Sequence, residues 1–305
     1  MDELKISATA HGLNYLPEYV AADTGLFAAH DLAVTATAKD PWTGVLDDLD
    51  SGAADIALGG LWVPGMYWGT PRELTVFAQL NHQFPKALVV RDTHDGFGWA
   101  DLVGRTVLAP GIGGSAPYAF TAGLIREAGV DPAGIEFLRD LSTPMFVELF
   151  EAGLGDAIIL DLTTAQILQD RGTGVIAIDY TEAGGLGPNS VYYLRTDRFE
   201  ELSDRLVRFT SALDLAMRRL RTTAVAELEP LLAAHWPEVA TSTLLRSCER
   251  IRASRTWETV RIDAAASDRW MRMLAEAGMV RTAPPFADLI ETGIVDSIAL
   301  TGSPR

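Results

Sequence analysis

A glycine-rich turn is the segment of this sequence best suited to bind an anion. It runs from Pro110 to Pro117, between a predicted strand and a predicted helix. Its free backbone N–H groups, the Ser115 hydroxyl and the positive end of the helix dipole suit a carboxylate, sulfonate or phosphate. The turn lacks the Rossmann spacing and no phosphate-loop lysine follows it, so nucleotide binding is not expected. The alternative is a tight turn without a ligand.

The turn after the first predicted strand offers a candidate proton acceptor. It carries His11, Asn14 and Tyr15. An imidazole near a helix N-terminus tends to stay neutral, so His11 could act as a general base. If the Gly113 to Ser115 turn held a substrate anion, this pair would suit decarboxylation, elimination or cyclisation. The alternative is that His11 only caps or orients its turn.

Two tryptophans follow two further predicted strands. Trp42 and Thr43 come after the second strand, and Trp62 comes after Gly60 and Leu61 at the end of the third. The indole rings could form aromatic walls for a flat or apolar ligand body, and Thr43 offers a hydroxyl. Simple packing is the alternative for each tryptophan.

Asp161 ends a predicted strand and begins a predicted helix in the second half of the chain. The position favours a helix N-cap, and an acid, base or amine-binding role is the alternative. His82, Lys86, Asn189 and Tyr192 lie in two extended segments within reach of the same region, where scaffolding is the favoured role. The predicted ligand-binding set is His11, Asn14, Tyr15, Trp42, Thr43, Gly60, Leu61, Trp62, Gly113, Gly114, Ser115, Ala116, Tyr118, Asp161, Thr163, Asn189 and Tyr192, with His11 and Asp161 as the catalytic candidates.

These residues are brought together by a pattern that occurs twice in the chain. The same pattern occurs at Leu49 to Leu58 and at Phe150 to Ile159. It predicts the end of a helix with a glycine, then a short loop, an aspartate and an apolar strand. Matching strand, turn, helix and strand units precede both segments. A repeat of this length predicts two similar α/β lobes rather than a solenoid. Ligands bind beyond the carboxyl ends of parallel strands, and clefts between domains are common binding sites.

Short apolar runs alternate with helical patterns, which is typical of mostly parallel α/β sheets. The predicted strands are 4–8, 33–38, 56–59, 75–80, 87–91, 106–109, 135–138, 157–160 and 175–179. Residues 81–90 and 188–194 are expected to be extended crossover segments, and the predicted C-terminal helices are 199–221, 224–234, 242–253 and 257–277. The fold class is therefore α/β, with two similar lobes of mixed, mostly parallel sheets joined by a two-crossing hinge, plus C-terminal helices. We expect residues 1–85 and 193–305 to form lobe I and residues 86–192 to form the inserted lobe II. Two crossings would let the lobes close on a ligand.

Composition excludes several classes of protein. The chain has 305 residues and a net charge of −16, which argues against nucleic-acid binding. No apolar run is long enough to span a bilayer. Cys248 is the single cysteine and is predicted to be a buried structural thiol. The histidines show no metal-ligand spacing, so neither a metal nor a cofactor is expected.

Several ordered segments resemble a known family. The run from Tyr15 to Phe27 and the run from His30 to Val34 are similar to the opening of the sulfonate-binding and thiamine-pyrimidine-synthase-like branch of type II periplasmic binding proteins. The segments 101–107, 111–116 and 127–132 are similar to the segments with which the second lobe begins in that family. The resemblance extends from residue 4 to about residue 290. The resemblance implies the fold but says little about which ligand is bound, because members of the family act in transport, in sensing and in several kinds of catalysis.

Three functions are consistent with these features. We favour an intracellular acid/base enzyme, because the chain starts without a secretory leader and would then be cytoplasmic. The resemblance implies two known chemistries that the residues do not match. The pyrimidine synthases carry a cysteine-rich motif in the second lobe, where this chain has no cysteine, and the desulfinases have a cysteine nucleophile in the first turn, where this chain has His11. The alternatives are the substrate-binding protein of an ABC importer, which would partner a permease outside the cytoplasm, and a cytoplasmic carrier or sensor. In each case the partner is a small molecule, and no membrane insertion is expected.

Overall fold

The computed structural model describes the backbone of residues 1–111 and 116–301 and the side chains of these ranges up to residue 298. The strands are β1 Asp2–Ala8, β2 Leu32–Ala38, β3 Ile56–Gly60, β4 Leu74–Gln79, β5 Lys86–Val90, β6 Thr106–Ala109, β7 Glu136–Arg139, β8 Ala157–Asp161, β9 Val175–Asp179 and β10 Ser190–Arg195. The α-helices are α1 Leu16–Asp23, α2 Leu26–Ala29, α3 Gly44–Ser51, α4 Trp62–Tyr67, α5 Ala116–Glu127, α6 Thr143–Glu151, α7 Leu162–Asp170, α8 Tyr180–Ala183, α9 Phe199–Thr222, α10 Glu229–His235, α11 Thr241–Ala253, α12 Ala264–Glu276, α13 Phe286–Leu289 and α14 Gly293–Thr301. Short 3-10 helices cover Leu13–Tyr15, Trp99–Leu102, Pro132–Gly134, Thr196–Arg198 and Val225–Leu228.

Within the described part of the chain, the strands form two sheets with the same topology. The first has the order β2-β1-β3-β10-β4 and the second the order β7-β6-β8-β5-β9. The second strand of each sheet, β1 or β6, pairs in parallel with both of its neighbours. One strand from the crossover region, β10 or β5, runs antiparallel to the central strand. The two antiparallel strands cross between the sheets. Strand β5 follows the strands β1 to β4 of the first sheet in sequence but pairs in the second sheet, and β10 follows the strands of the second sheet but pairs in the first. The predicted two-lobed α/β fold is confirmed.

The repeated aspartate explains why the sequence repeats. In the first sheet the backbone N–H of Lys5 donates to Asp55 Oδ2 at 3.0 Å. In the second sheet the backbone N–H of Thr106 donates to Asp156 Oδ2 at 2.8 Å. Each aspartate therefore ties the loop before one strand to a backbone N–H of the parallel neighbour, in the middle of β1 and at the start of β6. A carboxylate accepting a backbone N–H makes a stronger hydrogen bond than a neutral acceptor does.

The long helix α9 covers the first sheet together with α1 and α2. Its apolar side is buried, and the Phe209 ring stacks on Phe27 with centroids 5.1 Å apart and meets the Tyr192 ring edge-on at 4.9 Å. A second aromatic group joins the other sheet to α12, where the Phe84 and Phe120 rings stack at 4.0 Å beside Trp270. Such aromatic pairs contribute to the core beyond their buried area.

Two predicted C-terminal helices differ from the observed ones. The helix predicted from residue 257 begins only at Ala264, because the Asp263 side chain caps it by accepting from Ala266 N at 2.8 Å. The residues before it bond instead to the first sheet, since Gln79 N donates to the Val260 carbonyl. The helix predicted over 224–234 is a 3-10 turn followed by α10.

The helices that follow α10 contact elements from both halves of the fold. Helix α11 packs on α7, which lies beside the second sheet, and also contacts the 3-10 helix Leu13–Tyr15 of the first. Helix α12 packs on α5 of the second sheet and on α4 of the first. Strand β10 lies wholly in the first sheet, so the expected lobe boundary between residues 192 and 193 falls inside a strand. No described helix combines the length and apolarity needed to cross a membrane.

Candidate functional site

A cleft of about 940 Å³ lies between the two sheets. Its walls come from the turns that follow β1, β2 and β3 in the first sheet and β6 and β8 in the second, together with the two crossover segments. This is the predicted position, because ligands in open α/β sheets bind at the carboxyl ends of parallel strands.

The structure brings ten of the predicted residues to this cleft. They are His11, Asn14, Tyr15, Trp42, Gly60, Trp62, Ala116, Asp161, Thr163 and Asn189. Gly113, Gly114 and Ser115 lie outside the described residues, so their anion-binding role remains a prediction. The flanking Pro110, Gly111 and Pro117 do line the cleft.

Four predicted residues lie elsewhere. Leu61 and Tyr192 are fully buried in the core, and the Tyr192 hydroxyl donates to Glu18 Oε2 at 2.6 Å. The Tyr118 ring meets Phe137 edge-on at 4.9 Å. Thr43 is exposed at the start of α3. Proximity in sequence to a strand end placed these residues near the cleft, but side chains on successive residues point in different directions.

His11 belongs to an aromatic cluster at the side of the cleft. Its ring centroid lies 4.9 Å from that of Tyr19, 5.1 Å from Trp236 and 5.6 Å from His235. The one hydrogen-bond contact of His11 with another described residue joins Nε2 to the His235 carbonyl oxygen at 3.4 Å. No described carboxylate orients this imidazole, whereas a catalytic base is usually oriented by a third group.

The loop after α10 forms a wall of the cleft that was not among the predicted site residues. Trp236, Glu238 and Val239 line the cleft. The His235 ring holds this loop to α1, because it stacks on Tyr19 at 4.6 Å and its Nε2 lies 3.0 Å from Asp23 Oδ2. The only sequence signal was a tryptophan next to a proline after a helix.

Trp42 and Trp62 form an edge-to-face pair in the wall of the cleft. Their ring centroids are 4.7 Å apart and the ring planes are inclined by 76°. Gly60 makes room for this arrangement, since a Cβ atom at position 60 would lie 2.1 Å from Trp62 Nε1. The pair offers an apolar, flat surface of the kind that the two tryptophans predict.

Asp161 is a helix N-cap, which confirms the favoured interpretation. Its Oδ1 accepts from the backbone N–H groups of Thr163 and Thr164 at 3.1 and 3.0 Å. Its Oδ2 accepts from the Thr164 hydroxyl at 2.7 Å. Both carboxylate oxygens are thus engaged by the helix that follows, although the residue also lines the cleft.

Lys86, for which the sequence favoured a scaffolding role, also lines the cleft. It starts β5 directly after the first crossover and lies opposite Asp161 in the antiparallel register. The side chain lines the cleft and is half-buried. Burial lowers the pKa of Lys86, and the Asp161 charge acts in the opposite direction. Among the described residues, no carboxylate lies within 4.0 Å of its ammonium group to form an ion pair.

A buried acidic group, Glu18, lies in α1, the helix that follows Tyr15 of the cleft lining. Glu18 is 3% exposed and accepts the hydrogen bond from Tyr192. Burial raises the pKa of Glu18 to about 7, against the opposing effect of the Tyr192 hydroxyl. The neighbouring Tyr15 hydroxyl lies 3.4 Å from Thr9 Oγ1, and both of these residues line the cleft. Cys248, by contrast, is buried away from the cleft as predicted, and burial raises its thiol pKa to about 12.

Comparisons with known proteins agree with this architecture. Residues 13–221 match the family described as NMT1/THI5 like. None of the curated protein sequences matches this chain significantly.

Solved structures match the chain over nearly its whole length. The periplasmic sulfonate-binding protein SsuA from Methylobacillus flagellatus KT is 14% identical, with a TM-score of 0.77 and coverage of 100% of this chain and 98% of that one. The periplasmic aliphatic sulphonate binding protein SsuA from Escherichia coli is 15% identical, with a TM-score of 0.76 and coverage of 96% and 92%. The desulfurization enzyme DSZB is 14% identical, with a TM-score of 0.69 and coverage of 99% and 100%. At these identities the likeness establishes the type II periplasmic-binding-protein fold.

Proposed function

The chain belongs to the NMT1/THI5-like family, and from this premise we propose that it is the substrate-binding component of an ABC importer. It holds a small organic anion in the cleft between its two lobes. The observation that carries this proposal is the cleft itself, which both sheets line at their strand ends and two crossovers span.

The solved relatives support a binding function. The two SsuA proteins are described as sulfonate-binding periplasmic proteins, and they share this fold over nearly the whole chain. In this chain the half-buried ammonium group of Lys86 supports an anionic ligand, and the Trp42–Trp62 pair supports an apolar or flat body beside it. In such a system the protein works outside the cytoplasmic membrane and delivers its ligand to a permease.

An acid/base enzyme is the weaker candidate. The desulfurization enzyme DSZB shows that the fold can support catalysis. In this chain, however, Asp161 is engaged as a helix cap, and His11 lies in an aromatic cluster without a described carboxylate partner. The comparisons give no support to the lyase and cytoplasmic location that the sequence favoured.

We further propose the expected division into lobe I, residues 1–85 and 193–305, and lobe II, residues 86–192, with the second boundary moved to the start of β10 at Ser190. With strand β10 in the first sheet, the second crossover lies before Ser190. The segments around Asn81 and Asn189 then form the hinge, and their backbones are joined by a hydrogen bond from Asn189 N to the Asn81 carbonyl at 3.3 Å.

Native mass spectrometry of the protein purified without refolding tests the binding function. We expect a small anion that shifts the native mass and is released unchanged on denaturation. Incubating the released compound with fresh protein then separates the two candidates. An importer component returns it intact, whereas conversion to a product by the wild type and not by His11→Ala would favour the enzyme.

A further inference from the structure

The cleft contains a cation that stands apart from the other basic residues of the chain. Of the 25 lysine and arginine residues, only Lys5, Lys39 and Lys86 are lysines. Lys5 lies 3.7 Å from Glu3 on the surface, and Lys39 forms a 2.7 Å ion pair with Asp48. Lys86 alone among these three lacks an ion-pair partner in the described part of the chain, although it is less exposed to water than Lys5. Asp161 acts on this ammonium group through its charge but does not form an ion pair with it. A ligand anion in direct contact would therefore offset the cost of its partial desolvation.

The other charges around the cleft limit how much negative charge a ligand can carry. The charged residues that line it within the described ranges are Lys39, Lys86, Asp40, Asp161 and Glu238. Lys39 is already neutralised by Asp48. The remaining balance is one free ammonium group against three carboxylates.

No arginine is among the described residues that line the cleft, so its positive charge comes from lysine. Arginine binds phosphate and carboxylate pairs through two parallel N–H bonds, whereas lysine provides a compact point charge. The chain uses arginine for almost all of its other ion pairs, such as the pair of Arg269 with Glu127. A single lysine at the cleft suits a headgroup with one negative charge.

We infer that Lys86 is the counter-charge of a monoanionic ligand headgroup and that the cleft selects monoanions over dianions and neutral analogues. This inference rests on the proposed binding function and specifies its ligand class. A monoanion pairs with Lys86 at the base of β5. A dianion gains the same contact but brings a second charge close to Asp161, the cross-strand neighbour of Lys86.

The scarcity of lysine makes a direct test possible. Reductive methylation with 13C-formaldehyde labels the three lysines and the N-terminus while keeping their positive charge. The variants Lys5→Arg and Lys39→Arg assign the signals. The probes are methanesulfonate, sulfate and dimethyl sulfone, which share a tetrahedral sulfur centre and carry one, two and no negative charges.

We expect methanesulfonate to shift the Lys86 signal and to raise the pH at which it titrates. Dimethyl sulfone leaves the signal unchanged, and sulfate binds at least about tenfold more weakly than methanesulfonate because of the second charge. Lys86→Gln weakens methanesulfonate binding, followed by tryptophan fluorescence, by at least about tenfold, whereas Lys86→Arg retains part of it. Lys5→Gln, at an exposed residue outside the cleft lining, is the matched control and binds as the wild type does.

Several results would overturn the inference. They are a Lys86 signal that methanesulfonate leaves unmoved, sulfate binding as tight as that of methanesulfonate, or unchanged binding by a folded Lys86→Gln variant. The co-purification experiment separates this failure from failure of the proposed function. A dianionic native ligand that is returned intact overturns the assignment of Lys86 alone. A neutral one overturns the anionic ligand class as well but leaves the importer function, whereas conversion of the ligand to a product overturns the importer function.

Discussion

Glu18 shows how strongly the position of a single side chain controls its chemistry. The same residue type on the surface would be ionised at neutral pH, but here the carboxyl group is buried behind the cleft wall with a tyrosine hydroxyl as its partner. Burial disfavours the charged form and raises the pKa of Glu18 from 4.5 to about 7. Because the folded state holds this proton more tightly than the unfolded state does, the contribution to stability is fully present below pH 4.5 and is lost as the pH rises to about 7.

We therefore predict that Glu18→Gln stabilises the protein at alkaline pH. The variant keeps an acceptor for Tyr192 and removes the cost of ionising a buried group, so it should match the wild type at acidic pH and exceed it above neutral pH by up to about 3 kcal/mol. Urea unfolding at pH 5 and pH 8 measures the difference. Glu148→Gln, on the exposed side of α6, is the control and should show no such gain. Equal pH dependence of wild type and Glu18→Gln would contradict the assignment.

Gly60 controls the geometry of the aromatic wall. An alanine at this position would place its methyl group 2.1 Å from the Trp62 indole nitrogen, so the ring must shift relative to Trp42. We predict that Gly60→Ala changes the near-ultraviolet circular dichroism of the paired indoles. It should lower the free energy of unfolding by at most about 3 kcal/mol. In the control Gly134→Ala, the nearest atom to the new methyl group is Val103 Cγ1 at 3.4 Å, and the spectrum should be unchanged. An unaltered spectrum in Gly60→Ala would show that the pair does not depend on this glycine.

At the scale of elements, short polar contacts fix where helices begin and where strands pair. Asp161 begins α7 and Asp263 begins α12 by the same kind of side-chain cap. Asp55 and Asp156 align parallel strands in the two sheets. Of these four aspartates, Asp55 and Asp156 belong to the sequence repeat and make the same backbone contact in the two sheets. The other two satisfy helix N–H groups that have no partner within the helix.

We predict that Asp161→Ala destabilises the protein by about 1 kcal/mol, the usual cost of losing a helix cap. Asp161→Asn should lose less, since asparagine is also a good N-cap residue. Denaturant unfolding of both variants measures the effect. If both lost the same stability, the negative charge of Asp161 rather than its capping bonds would be the stabilising feature.

At the scale of the whole molecule, the C-terminal helices connect the two halves of the fold. Helix α11 is held to α7 by Asp170, which accepts from the Thr243 hydroxyl at 2.5 Å and from Arg246. The residue Trp257, soon after α11, donates from Nε1 to the Asn14 carbonyl in the cleft wall of the first sheet at 2.9 Å. Arg269 of α12 similarly bonds to Glu127 of α5. Closure of the cleft on a ligand must therefore carry these helices with it or loosen their contacts.

We predict that Asp170→Ala loosens α11 from α7. The change removes the charged acceptor of two contacts at a partly exposed site, so the loss in stability should be only about 1–2 kcal/mol. Hydrogen exchange should become faster in α11, while α9, on the first sheet, serves as the internal control and should stay protected. Unchanged exchange in α11 would mean that its apolar packing alone holds it in place.

The sequence by itself determined the strands, their two-fold repetition and the general position of the cleft. Alternating apolar runs and helical patterns are local properties, so the strands at 106–109 and 175–179 were predicted at their observed bounds. The cap role of Asp161 and the burial of Cys248 were also predictable, because each depends on the immediate neighbours in the chain.

Only the tertiary structure decided which side chains near the strand ends face the cleft. Leu61 and Tyr192 point into the core, whereas Lys86 and Trp236 reach the cleft from segments that local patterns assign to a hinge and a helix end. The pairing of β10 with β3 and the contact of buried Glu18 with Tyr192 join residues more than a hundred positions apart. The charge and shape of the site therefore arise from long-range packing, which hydrophobic periodicity does not encode.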